Sequence, residues 1–97
     1  MPALEFDWDD RKNTANRTKH GVSFEEAQTL FFDEKAIEFF DPDHSVVEDR
    51  FLLLGRSFRL RILLVCYCFR KSESVIRIIS ARKATKKEQT VYRKETL

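Results

Sequence analysis

The chain has 97 residues and a mass of 11.5 kDa, 42% hydrophobic and 35% charged with only two Gly and two Pro, which leaves room for one compact domain over 1–97 and excludes collagen-like, mucin-like and bulk-disordered proteins. The longest uninterrupted apolar run, Ile62 to Phe69, is far shorter than the roughly 20 residues of a bilayer span, and Glu5, Asp7, Asp9 and Asp10 occupy the place of a secretory signal, so a cytoplasmic protein with no membrane contact is expected. A formal charge of only +2 hides an asymmetry: residues 1–49 carry −8 and residues 50–97 carry +10, so the second half attracts a polyanion unless the two halves pack together and neutralise each other.

Glu5 to Trp8 alternates polar and apolar as a short strand, and Asp9 or Asp10 can cap a helix over Arg11 to His20. Gly21 stands where a left-handed C-cap ends such a helix, behind Lys19 and His20, whose charge suits its C-terminal dipole. Ser23 and Glu26 form a capping box for a second helix carrying Phe24, Ala27, Leu30 and Phe31 at helical spacing. From Ala36 the period changes. Ala36 to Phe40 reads as a strand closed by the turn Asp41 to Ser45; Arg50 to Phe58, Leu60 to Arg70 and Ser74 to Arg82 follow as three more. The run after Leu60 is apolar on both faces, which marks a central strand covered on each side. A second capping box, Thr85 to Glu88, opens a terminal helix whose Val91 and Tyr92 lie on its apolar stripe. The expected architecture is therefore α+β, a small antiparallel sheet of about four strands with two N-terminal helices and one C-terminal helix.

No glycine-rich phosphate loop, nucleophile elbow or zinc-binding helix motif is present, and Cys66 and Cys68, two apart in a strand, read as buried thiols; no metal and no cofactor are expected. What remains is basic. Arg59 and Arg61 flank the entrance to the central strand, Arg77 interrupts an Ile/Val run, and Arg82 and Lys83 close the last strand before Lys86 and Lys87. Strict alternation puts Arg77 and Arg82 on opposite faces, so the two converge only if the strand is twisted or bulged near Ala81. Arg82 next to the free N–H groups of a helix start suits a phosphate. Taken singly, Arg59, Lys86 and Lys87 also read as solvated surface residues, and Arg77 as an ion-pair partner of the acidic half. His20 and His44 are the possible acid and base, with His20 also explained as a capping residue and His44 as an exposed turn residue.

Lys19 to Ala27, preceded by Phe6-Asp7-Trp8-Asp9 and followed by Ile78 to Thr85, resembles the BrnT family of bacterial toxins, and the Asp41 to His44 turn and the Arg50 to Gly55 strand extend the likeness over nearly the whole chain. That resemblance implies a RelE-like fold, an endoribonuclease that cleaves RNA without a metal and so inhibits translation, and a BrnA-type antitoxin that forms a hetero-oligomer with it. It also implies that basic residues carry toxicity, and the matching positions are Arg61, Arg77, Arg82 and Lys83. These four are taken as the catalytic set, with Arg59, Lys86 and Lys87 as RNA-binding residues; arginine suits the role because its guanidinium binds phosphate oxygens bidentately. A noncatalytic nucleic-acid-binding or protein-interaction module is the alternative.

Overall fold

The computed structural model describes residues 4–95. β1 (Glu5–Asp7) is followed by α1 (Asp10–His20) and by α2 (Phe24–Ala27), which continues as 3₁₀ turns over Gln28–Phe32. β2 (Ile37–Phe40), β3 (Phe51–Arg56), β4 (Ile62–Arg70) and β5 (Val75–Lys83) form the meander, and α3 (Lys86–Glu95) ends it. The expected α+β class holds. The sheet, however, has five strands in the order β1-β5-β4-β3-β2, with β1 added parallel to β5 and all other pairs antiparallel.

Local chemistry sets the helix ends. Asp9 caps α1 by accepting from Arg11 N (2.8 Å) and Lys12 N (3.1 Å), and Gly21 terminates it at φ 68°, donating to Arg17 O at 2.9 Å. At α2 the capping box is only half formed. Ser23 Oγ accepts from Glu26 N, but the Glu26 carboxylate turns inward to other partners.

One face of the sheet carries the larger core. There Leu53, Leu63, Val65, Tyr67, Ile76, Ile78 and Ala81 meet Val22, Phe24, Ala27 and Leu30 from α2 and its flanks. α1 itself is polar, and it is held to this face by two buried asparagines rather than by an apolar stripe. Asn13 Oδ1 accepts from Phe24 N at 2.9 Å while its Nδ2 donates to Glu25 Oε1 at 2.8 Å. Asn16 Nδ2 donates to the carbonyls of Val22 and Ala81, both at 2.8 Å, and its Oδ1 accepts from Ala81 N at 3.1 Å. Because β1 pairs with β5 only as far as Arg77, the carboxamide of Asn16 supplies the outer edge of β5 with the hydrogen bonds that a longer β1 would have made.

β5 also carries a bulge. Cys66 pairs with Ser80 and Tyr67 with Ile78, so Ile79 is an extra residue that reverses the alternation beyond it. Ile76 and Ile78 before the bulge and Ala81 after it therefore share the helix-covered face, while Arg77 and Arg82 share the other.

Replacing Asn16 by Leu strands both backbone groups of Ala81 and the carbonyl of Val22 in a buried setting, so a loss of about 3 kcal/mol is expected, more than 10 °C in Tm for a domain of this size. Asn16→Asp should do no better, because a carboxylate cannot donate to the two carbonyls. Thermal unfolding followed by circular dichroism measures both, and a near-native Tm for Asn16→Asp would show that the donated hydrogen bonds are dispensable.

Candidate active site

At one end of the second face Ala84 and Tyr92 of the α3 region pack on Leu54, Ile37, Ile62 and Leu64, and the Tyr92 hydroxyl donates to Asp33 at 2.7 Å. Beside this packed end lies a cleft of about 440 Å³. Leu52, Leu64, Cys66 and Ile79 make an apolar floor; Asp41, His44 and Arg50 stand on the β3 side, and His20, Ser80 and Arg82 on the β5 side.

Three of the sequence-selected residues, His20, His44 and Arg82, thus meet in one place. His20 arrives as the last residue of α1, fixed there by the turn at Gly21. His44 stands in a 3₁₀ turn (Pro42–His44) with its Nδ1 2.9 Å from Asp41 Oδ2. The loop behind it is cross-braced: Asp41 N donates to Arg50 O at 2.9 Å, and Ser45 Oγ accepts from Arg50 N at 2.9 Å while donating to Asp41 O. Arg82 reaches the cleft face because of the bulge at Ile79, two residues before the Ala81 position named from the sequence.

Arg82 is not unattended. Glu88 accepts from its two terminal nitrogens at 2.7 and 2.9 Å, and the same carboxylate accepts from Thr85 N at 2.8 Å while Thr85 Oγ1 accepts from Glu88 N at 3.1 Å. The second capping box is therefore complete, and the helix start that the sequence suggested as an open phosphate site is closed by this carboxylate. The Arg82 guanidinium outweighs partial burial and holds the Glu88 carboxyl down to about 2.

Arg50 is the cation that sequence reasoning passed over. Among the described residues it has no carboxylate within ion-pair range, and its Nε is buried without a hydrogen-bond partner. Position alone concealed it, since it reads as the first residue of a strand and belongs to no cluster; the signal available was its place directly after the Asp41 to Asp49 acidic loop.

The other selected residues lie elsewhere. Arg61 is on the helix-covered side, where its Nε donates to Glu26 Oε2 at 2.9 Å, its terminal nitrogen pairs with Glu26 Oε1, and the same nitrogen donates to Gly21 O at 3.0 Å. Ser57 Oγ completes the set by donating to Glu26 Oε2 at 2.6 Å. Burial pushes the Glu26 carboxyl up, but the hydrogen bonds from Arg61 and Ser57 prevail and hold it below the usual range. Arg59 is exposed at the edge of this group, 4.0 Å from Glu26. Arg77 shares the cleft face but sits at its far end, paired with Asp7 at 2.5 Å. Lys83 is exposed on the opposite face, and Lys86 and Lys87 are exposed on the first turn of α3. The fold does not gather Arg61, Arg77, Arg82 and Lys83 around one phosphate. Instead Asp7–Arg77, Glu26–Arg61 and Glu48–Arg70 join the acidic half to the basic half, so the halves do in part neutralise each other.

An apolar floor between arginines and histidines suits a ligand that is anionic at one end and flat and apolar at the other, as a nucleotide is. The comparisons give that chemistry a class. Residues 8–88 match the model for "Ribonuclease toxin, BrnT, of type II toxin-antitoxin system", and the chain belongs to this BrnT family of ribonuclease toxins. Among solved structures, the crystal structure of the Brucella abortus ribonuclease toxin BrnT is similar at a TM-score of 0.65 and 26% identity, covering 87% of this chain and 100% of that one. No curated protein matches the chain. Family membership implies an RNA target and an antitoxin partner, and among the described residues no helix is long and apolar enough to cross a membrane.

Two ion pairs make contrasting predictions. Arg61→Ala leaves Glu26, 2% exposed, with only the exposed Arg59 at 4.0 Å as counter-charge and should cost about 3 kcal/mol of stability. Glu88→Gln keeps the cap but removes the negative charge that pairs with the half-exposed Arg82, and should cost about 1 kcal/mol at pH 7. The Glu88 pKa is depressed on folding, so its contribution is complete above about 4.5 and fades as pH falls toward about 2. Urea unfolding of wild type and Glu88→Gln from pH 7 to pH 2 should give curves that converge at the acid end; a constant gap would mean that the ion pair is not the source.

Proposed function

We propose that residues 1–97 act as one cytoplasmic toxin domain, a metal-independent endoribonuclease that inhibits translation by cutting RNA and is neutralised by a BrnA-type antitoxin with which it forms a hetero-oligomer. The observation that carries this reading is the cleft, in which Arg50, Arg82, His20 and the His44–Asp41 pair surround an apolar floor.

The reaction that fits these groups is attack by the 2′-oxygen of a ribose on the adjacent phosphorus. The 2′-O–P bond forms, the P–O5′ bond breaks, and the products are a 2′,3′-cyclic phosphate and a 5′-hydroxyl. With Nδ1–H donated to Asp41, His44 keeps an electron pair on Nε2 and takes the 2′-hydroxyl proton. His20, across the cleft, returns a proton to the departing 5′-oxygen. Arg50 and Arg82 hold the nonbridging oxygens and stabilise the extra negative charge of the phosphorane; neither can serve as base, since guanidinium stays protonated to above about pH 12. Arg82 enters with Glu88 still attached, while Arg50 has no ion-paired carboxylate among the described residues to release first.

Purified protein incubated with RNA in EDTA should yield new ends bearing 2′,3′-cyclic phosphate. Arg50→Ala and His44→Ala should each lower the rate at least about a hundredfold with little change in Tm, because neither side chain holds the core. Retention of RNA without cleavage would leave a noncatalytic nucleic-acid-binding module instead. Full activity in both variants would move the chemistry out of the cleft.

A further inference from the structure

We propose that the floor of the cleft is a subsite for one unstacked nucleobase of single-stranded RNA, seated beside the phosphate that Arg50 and Arg82 hold. This rests on the ribonuclease reading and adds to it the form of RNA that is taken. A site for phosphate alone needs donors only, yet here the cations stand around Leu52, Leu64, Cys66 and Ile79, apolar surface that gains nothing from an anion and gains from a flat, weakly polar ring.

Size points the same way. About 440 Å³ lies near the small end of the range of about 300–1,000 Å³ for small-molecule sites, enough for one nucleotide unit and not for a helix. In a duplex the bases are stacked and paired in the interior, so a cleft with its apolar surface at the bottom receives only a base that has been splayed out. Ser80 adds a polar handle. It stands opposite Cys66 at the edge of the floor, is exposed, and its hydroxyl has no hydrogen-bond partner among the described residues, so it is free to donate to or accept from the edge of a base. The bulge serves this subsite as well, since Ile79, the extra residue of β5, lines the cleft between Ser80 and the strand interior.

The test uses the wild-type protein, isotopically labelled and freed of any partner, titrated separately with adenosine 3′-monophosphate, ribose 5-phosphate and inorganic phosphate while backbone amides are followed by NMR. The nucleotide should bind at least tenfold more tightly than either base-free probe and shift Leu52, Leu64, Cys66 and Ser80, which inorganic phosphate should leave in place. Equal affinity for all three probes, or nucleotide shifts away from the floor, overturns the subsite. A second arm compares cleavage of one RNA strand alone, the same strand in a duplex, and the strand with an abasic unit beside the cut bond. The subsite predicts at least tenfold lower kcat/KM for the latter two. Equal cutting of all three overturns the subsite and leaves the nuclease standing; nucleotide binding at the floor without cutting of any RNA supports the subsite and removes the nuclease.

Discussion

One inserted residue decides what this sheet can do. Without Ile79 as an extra member of β5, alternation would carry Arg82 to the face that α1 and α2 cover, and the cleft would lose one of its two arginines. A bulge in an edge segment is tolerated only if the chain beyond it is held in its new register, and Asn16 does that by bonding both backbone groups of Ala81, the second residue past the insertion. The same carboxamide grips Val22 O, next to the Gly21 turn that sets His20 at the cleft rim. A single buried side chain thus orients residues on both sides of the β5 edge.

The cations of the basic half divide by the company they keep. Arg61, Arg70 and Arg77 are spent on carboxylates of the acidic half, Arg56 lies over the ring of Tyr92, and Arg82 is shared with a helix cap. Among the described residues Arg50 lines the cleft with no carboxylate in ion-pair range, because the loop before it is closed on itself by Ser45 and Asp41 and offers its acids elsewhere: Asp41 to His44, Glu48 to Arg70. Net charge therefore says less about an anion site than the number of cations left unpaired within it.

Much of the fold was legible in the residues, and the reasons differ by element. Capping residues act within one turn, so Asp9, Gly21 and the Thr85 to Glu88 box mark their helix ends whatever surrounds them. The apolar run of β4 marked the central strand, but the cover expected on each side is complete only on the helix face, since Leu64 and Cys66 on the other face floor the cleft. What stayed hidden depends on distant partners. Nothing in Glu5 to Asp7 tells that it pairs in parallel with a strand some 70 residues later, and the inward turn of Glu26 away from its cap is settled by Arg61. The candidate site was half visible. His20, His44 and Arg82 were chosen for their chemistry and meet in the cleft, whereas Arg61, Arg77 and Lys83 were chosen with them and stand apart, since the count along β5 changes at the bulge and a chain read in order cannot see Glu26 waiting for Arg61.

The pairing of β1 with β5 has a consequence for the order of assembly. β5 is bound on one edge by β1 and Asn16, from the first 16 residues of the chain, and on the other by β4, and it delivers Arg82, Ser80 and Ile79 to a cleft whose remaining wall, at Asp41 to Arg50, precedes it. A chain that emerges from its N-terminus can form α1, α2 and the β2 to β4 meander while still lacking the strand that completes the pocket. The pairing of β5 with β4 is a local hairpin, whereas its bonds to β1 and Asn16 join segments 65 or more residues apart and carry the larger closure entropy. A chain that has not yet docked β5 therefore lacks Arg82, Ser80 and Ile79 at the cleft.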